Sequence, residues 1–144
     1  MLKKIFLSSD HGGYRLKELV KDFLIKNNHI ITDLGCFSLD AVDYPDYAKL
    51  LSDKLETVSN AQGILSCGTG IGISMAANRF SHIRAALCTT VEMASKSRKH
   101  NNANVLALGG RILSDKLAVD IVYEFLNTDF EAGRHRLRVN KINN

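Results

Sequence analysis

The sequence predicts an α/β protein: a three-layer αβα sandwich, Rossmann-like, on a five-stranded parallel sheet, with an additional C-terminal helix. Three observations predict it. Five short apolar runs alternate with segments whose apolar residues recur every three or four positions, and glycines follow several of the runs. The runs are apolar nearly throughout rather than at every second residue, which is the pattern of strands buried on both faces. Helices must therefore cover both sides of the sheet.

The first strand spans Lys3 to Ser8. Leu16, Leu19, Val20, Phe23 and Leu24 then form the stripe of a core-facing helix. A second run from His29 to Leu34 closes at Gly35, and a loop through Tyr44-Pro45 leads to a helical stripe at Tyr47, Leu50, Leu51, Leu55 and Val58. The third strand, Gly63 to Ser66, breaks into Gly68, Gly70 and Gly72 before a small-residue helix through Ala76-Ala77. Ile83 to Cys88 is the fourth strand, and Thr89 with Glu92 has capping-box spacing for the helix of Met93, Ala94 and Ser97. Asn104 to Leu108 is the fifth, ended by Gly109-Gly110. Ser114 caps a helix whose stripe is Ala118, Ile121, Val122, Phe125 and Leu126, and a final helix runs from Phe130 toward Ile142.

Composition narrows the function classes. A chain of 144 residues, 45% hydrophobic and 24% charged, is expected to fold as one domain over 1–144 without disulfides or metal. Too few apolar residues precede Asp10 for a signal-peptide core and no run reaches membrane-spanning length, so a soluble cytoplasmic protein with no membrane partner is expected. The three cysteines match neither a zinc pattern nor a disulfide framework. The net charge of +4 is spread along the chain, without aromatic platforms or a nucleic-acid motif, so no nucleic-acid partner is expected.

In open parallel sheets ligands bind beyond the carboxyl ends of the strands. Those ends carry Asp10-His11-Gly12-Gly13, Cys67-Gly68-Thr69-Gly70-Ile71-Gly72, Cys88-Thr89-Thr90 and Gly109-Gly110-Arg111. The glycine run lacks the final spacing of a dinucleotide fingerprint and the lysine of a Walker loop, so neither cofactor is indicated. Backbone N–H groups at a helix start stabilise an anion, whether phosphate or developing oxyanion; the alternative is that the glycines serve only a tight turn. Cys67, just before that turn, is a candidate base or nucleophile because nearby amides favour thiolate over thiol. Cys36 and Cys88 read as small hydrophobes, and His29 and His82 as structural or surface residues. Asp10-His11 pairs a carboxylate with an imidazole, and His100-Asn101 follows a helix expected to point back to the same edge; such histidines move protons near neutral pH. Arg134 and Arg138, four apart, share one helix face and could close on a phosphate or simply be solvated, with Arg136 on another side.

Six segments together resemble one family: Ser9 to Gly13, Asp43-Tyr44-Pro45, Cys67 to Gly72, Lys99-His100-Asn101, Asn104 to Arg111, and Gly133 to Arg136. In order and spacing they resemble the type B ribose-5-phosphate isomerases, whose family also holds galactose-6-phosphate and allose-6-phosphate isomerases. The resemblance implies interconversion of D-ribose 5-phosphate and D-ribulose 5-phosphate through a cis-enediolate in the non-oxidative pentose phosphate pathway. It implies no cofactor and no metal, and a homodimer or dimer of dimers with shared active sites.

Carried over residue by residue, Cys67 takes the proton from C2 and returns it at C1, while His100 opens the furanose ring, with His11 able to share that duty. Asp10 assists at the sugar hydroxyls. Gly68, Thr69, Gly70, Ile71 and Gly72 face the reacting oxygens, Asn101 belongs to the same pocket, and Tyr44 and Asp43 lie near the ring. His11, Arg111, Arg134 and Arg138 are the implied phosphate partners, with His100, Asn101 and the two helical arginines supplied by the neighbouring subunit. A branch of the family uses a glutamate slightly further along; Ile73-Ser74-Met75 offers no carboxylate here. The alternatives are an isomerase for a six-carbon sugar phosphate and a non-catalytic sugar-phosphate-binding module.

Overall fold

The computed structural model describes residues 3–142, so the expected domain limits at 1 and 144 lie outside the described residues. The strands are β1 (Lys4–Ser9), β2 (Ile30–Asp33), β3 (Ala61–Cys67), β4 (Ala85–Leu87) and β5 (Val105–Gly109). They form one parallel sheet in the order β2-β1-β3-β5-β4. The helices are α1 (Tyr14–Lys26), α2 (Tyr44–Thr57), α3 (Ile71–Ala77), α4 (Val91–Lys99), α5 (Asp115–Asn127) and α6 (Arg134–Ile142).

Alternating residues of the central strands feed two cores. Ile5, Leu7, Ile64, Leu106 and Leu108 pack against Leu16, Val20 and Leu24 of α1, Ala94 of α4, and Ile121 and Phe125 of α5. Phe6, Leu65, Cys67, Val105 and Ala107 pack on the opposite face against Ala48 and Leu51 of α2 and Ile73 and Ala77 of α3. The expected αβα arrangement is thus present. Leu50, read as part of the α2 stripe, is 46% exposed, because the sheet-facing row runs through Ala48 and Leu51 instead. Among the described residues no helix is long and apolar enough to cross a membrane.

Two local expectations are corrected. The cap of α4 is Thr90, not Thr89: its extended backbone lets its hydroxyl accept the Met93 N–H at 3.1 Å, whereas Thr89 Oγ1 donates to the Met93 sulfur. Helix α6 starts at Arg134 rather than Phe130. Ala132 and Gly133 have φ of 58° and 52°, and two consecutive left-handed residues cannot continue a right-handed helix. The Ser114 cap of α5 holds, its hydroxyl accepting the Leu117 N–H.

Candidate active site

The chain passes from β1 outward to β2 and then returns to β3 on the other side of β1. Such a reversal opens a crevice at the carboxyl ends of β1 and β3, the usual ligand position in open α/β sheets. The loop after β1 supplies Asp10, His11, Gly12 and Gly13 to it, and the loop after β3 supplies Cys67 to Gly72.

These loops approach so closely that side chains are excluded between them. A Cβ on Gly13 would lie 2.3 Å from the carbonyl carbon and oxygen of Ser66, inside any tolerable contact. Asp10, 6% exposed, accepts the Gly13 N–H on Oδ1 at 3.0 Å and thereby folds its loop into a tight turn. Arg111, leaving β5, crosses both glycine loops: added Cβ atoms on Gly12 and Gly68 would meet its guanidinium at 3.4 and 3.3 Å. A cation therefore stands over the backbone of both loops.

Cys67, the last residue of β3, is 4% exposed. The chain turns at Gly70, where a φ of 79° and the 2.8 Å at which an added Cβ would meet the Leu108 carbonyl carbon admit only glycine. That turn aims the Gly70 N–H at Cys67 Sγ, 3.1 Å away. An N–H donor interacts more strongly with a thiolate than with a thiol. Ile71 N–H donates to Thr69 Oγ1 at 3.2 Å, and the first rung of α3 runs from Ser74 N–H to the Gly70 carbonyl. The amides of the first turn thus have no acceptor within the helix. Tyr44 closes one flank, its ring so near Gly72 that an added Cβ would meet Cζ at 2.7 Å.

His11 is oriented by backbone. The Val42 N–H donates to its Nδ1 at 3.2 Å, which leaves Nε2 as the protonated, donating nitrogen of the neutral ring. Sequence reasoning missed this contact, because nothing in Val42 itself advertises a backbone donor. The Asp33 carboxylate was missed as well. Burial pushes it up, but hydrogen bonds from the Lys17 ammonium, the Gly35 N–H and Lys21 outweigh that and hold it below the usual carboxylate range. Asp33 thus ties α1 to the turn that enters the 36–43 loop.

The remaining site candidates stand elsewhere. His100 caps the carboxyl end of α4, and α4 descends from the end of β4 to the start of β5. His100 and Asn101 therefore lie at the amino edge of the sheet, a correction to the expectation that this helix returns to the Cys67 edge. The two ends of β5, Val105 beside Gly63 and Gly109 beside Cys67, are four residue steps apart, about 13 Å. Arg134 and Arg138 share a face of α6, both exposed. The start of α6 packs on the end of α4: the His135 ring stacks on His100 at 4.2 Å and 12°, and Glu131 N–H donates to the Lys99 carbonyl at 3.1 Å. Burial first, and then the neighbouring His100 and Arg134, hold the His135 imidazole below its usual pKa. His135 was the other residue missed, although its place beside Arg134 and four after Glu131 was a signal.

Within one chain the site candidates thus fall into two groups. Asp10, His11, Tyr44, Cys67 to Gly72 and Arg111 surround the crevice; His100, Asn101, Arg134 and Arg138 gather at the opposite edge. A groove of about 350 Å³ beside β4 contains Asn101, Phe80, Ile83 and Ile142, and none of its lining comes from the Cys67 loop. The other cysteines and histidines fit their bland readings. Cys88 is buried, which pushes its thiol up to about 11, and His82 Nε2 lies 2.8 Å from the Ser52 carbonyl.

Comparison with known proteins gives this geometry a family context. Residues 5–142 match the ribose/galactose isomerase family. Ribose-5-phosphate isomerase B of Escherichia coli is 41% identical over 141 residues, covering 98% of this chain and 95% of that protein. The crystal structure of a ribose 5-phosphate isomerase from Thermotoga maritima superposes with a TM-score of 0.96 at 48% identity, over 98% of this chain and 97% of that one. A Mycoplasma genitalium ribose-5-phosphate isomerase B, solved with bound ribulose-5-phosphate, superposes with a TM-score of 0.94 at 42% identity, over 99% and 95% of the two chains.

Proposed function

The chain belongs to the ribose/galactose isomerase family, and we propose that it interconverts D-ribose 5-phosphate and D-ribulose 5-phosphate through a cis-enediolate, a step of the non-oxidative pentose phosphate pathway. It is an aldose–ketose isomerase. One observation carries the mechanism: a sulfur that receives an amide hydrogen bond stands at the switch point of the sheet, beside two glycine loops that the Arg111 side chain crosses.

Cys67 as thiolate removes the proton from C2 of the open-chain aldose. The C–H electrons form the C1–C2 double bond, and the carbonyl electrons move onto O1. The same thiol then protonates C1, and the O2 proton passes to O1 as the C2 ketone forms, which leaves the thiolate restored. A base held against the carbon and donors held at the oxyanion remove most of the reorganisation from this step. Amides of the Gly68–Gly72 turn and the Thr69 hydroxyl serve the oxyanion, and Asp10 aligns the sugar hydroxyls. His11, through its Nε2–H, and Arg111 bind phosphate.

His100, Asn101, Arg134 and Arg138 complete the site from a second copy of the chain, His100 opening the furanose ring. Their position at the edge away from Cys67 of the same chain supports a homodimer, or a dimer of such dimers, with shared sites. Reaction without metal or cofactor fits this set of groups, because both proton transfers have a protein base. The test is an isomerase assay of the native chain, Cys67→Ala and Cys67→Ser on ribose, allose and galactose phosphates. Cys67→Ala is expected to keep sugar-phosphate binding and lose turnover; retained turnover would remove Cys67 as the base. A preference for a six-carbon phosphate would reassign the substrate.

A further inference from the structure

At the junction of α4 and α6, three metal-ligating side chains converge for which the isomerase reading has only one use. One ligand atom each from His100, Glu131 and His135 lies within 4.8 Å of the other two, and His135 Nε2 stands 3.8 Å from Glu131 Oε2. The backbone holds the three together: Glu131 N–H is tied to the Lys99 carbonyl, His100 closes α4, and His135 occupies the first turn of α6. The two rings stack nearly parallel at 4.2 Å, and because an ion lies in the plane of each imidazole that binds it, one ring turns out of the stack when both bind the same ion.

We propose that His100, His135 and Glu131 form a binding site for a divalent transition ion of the zinc class, and that occupation of this site blocks isomerisation by withdrawing His100. The binding half stands on these residues alone; the blocking half rests on the role given to His100 above.

Two imidazoles and one carboxylate are a sufficient set for such an ion, leaving a fourth position to water or a substrate oxygen. Ligand distances of roughly 2.0–2.1 Å place tetrahedral donors about 3.4 Å apart, so the three groups must close by about 1 Å. Glu131 is exposed and outside any helix, so it can follow an ion held by the two rings. Lys99, Arg134 and Arg138 flank the site on the same two helices and oppose any cation on Coulombic grounds. That repulsion acts on every divalent ion alike, and the imidazole donors discriminate by favouring those that bond to nitrogen: zinc, nickel and copper bind, magnesium does not.

The test titrates Zn²⁺ into the full chain by calorimetry while the histidine ring resonances are followed by NMR. One saturable site per chain is expected, in the micromolar range, with the His100 and His135 rings perturbed and Mg²⁺ inert. Glu131→Gln, an exposed change, weakens Zn²⁺ by about tenfold or more while turnover in metal-free buffer is unchanged. His135→Asn abolishes the ring perturbation, with its fold checked by thermal melting. Absence of a saturable site overturns the proposal, as does an affinity that Glu131→Gln leaves unaltered or a perturbation confined to His11 or Cys67. Binding at this site with native turnover intact overturns the blocking half and, separately, the ring-opening role of His100. Failure of the isomerase reading itself leaves the calorimetric result standing.

Discussion

Two inactive variants should restore each other if Cys67 and His100 of different copies act together. In one chain they stand at opposite edges of the sheet, separated by at least the length of β5. In a two-fold dimer each site then takes its sulfur from one copy and its imidazole from the other. Cys67→Ala alone and His100→Asn alone damage both sites, and loss of a general acid or base costs about a hundredfold or more in rate. In a mixed dimer the two lesions fall in the same site, and the other is native. Random reassortment makes about half the dimers mixed, each with one working site of two, so the mixture recovers about a quarter of native activity. The assay is the isomerase rate after co-expression, or after joint unfolding and refolding of equal amounts. A mixture no faster than the mean of the two variants would refute the shared site.

Three further outcomes follow from the geometry. Gly13→Ala drives a Cβ into the Ser66 carbonyl at 2.3 Å, where only backbone can yield; a loss of about 3 kcal/mol or more is expected in urea unfolding, and less than 1 would contradict the close approach. Asp33→Asn leaves the buried Lys17 with Glu18 and two aromatic rings, so the cost should fall near 2 kcal/mol, or about 4–8 °C in Tm. Because the folded pKa of Asp33 is depressed, its contribution is complete above the ordinary carboxylate value and fades as acid protonates it. The gap between native chain and variant should therefore narrow below about pH 4; a gap that widens there would contradict the assignment. Cys88, with its thiol near 11, should resist iodoacetamide in the folded chain at pH 8, as peptide mapping would report.

The strands were legible because burial on both faces makes β5 apolar throughout and β3 largely so, and the glycine spacing after β3 announced a turn that only glycine can take. Local interactions of that kind are written in adjacent residues. The order of the sheet was not: β5 inserts between β3 and β4, and that depends on packing between distant segments. The same gap explains the error over His100. Periodicity marks its helix, whereas the edge at which that helix ends follows from the right-handed crossover from β4 to β5. The start of α6 differs from the periodicity because Ala132, a good helix former by composition, adopts a positive φ. The Val42 amide on His11 and the Tyr44 ring on Gly72 belong to a loop whose course no local pattern dictates.

Isomerisation in deuterated water puts the proton-transfer chemistry itself on trial. Ribose 5-phosphate turned over by the native chain should acquire solvent deuterium at the carbon that receives the proton from Cys67, and Cys67→Ala should slow that incorporation by about a hundredfold or more. Incorporation at the native rate without the sulfur would contradict transfer through a thiol.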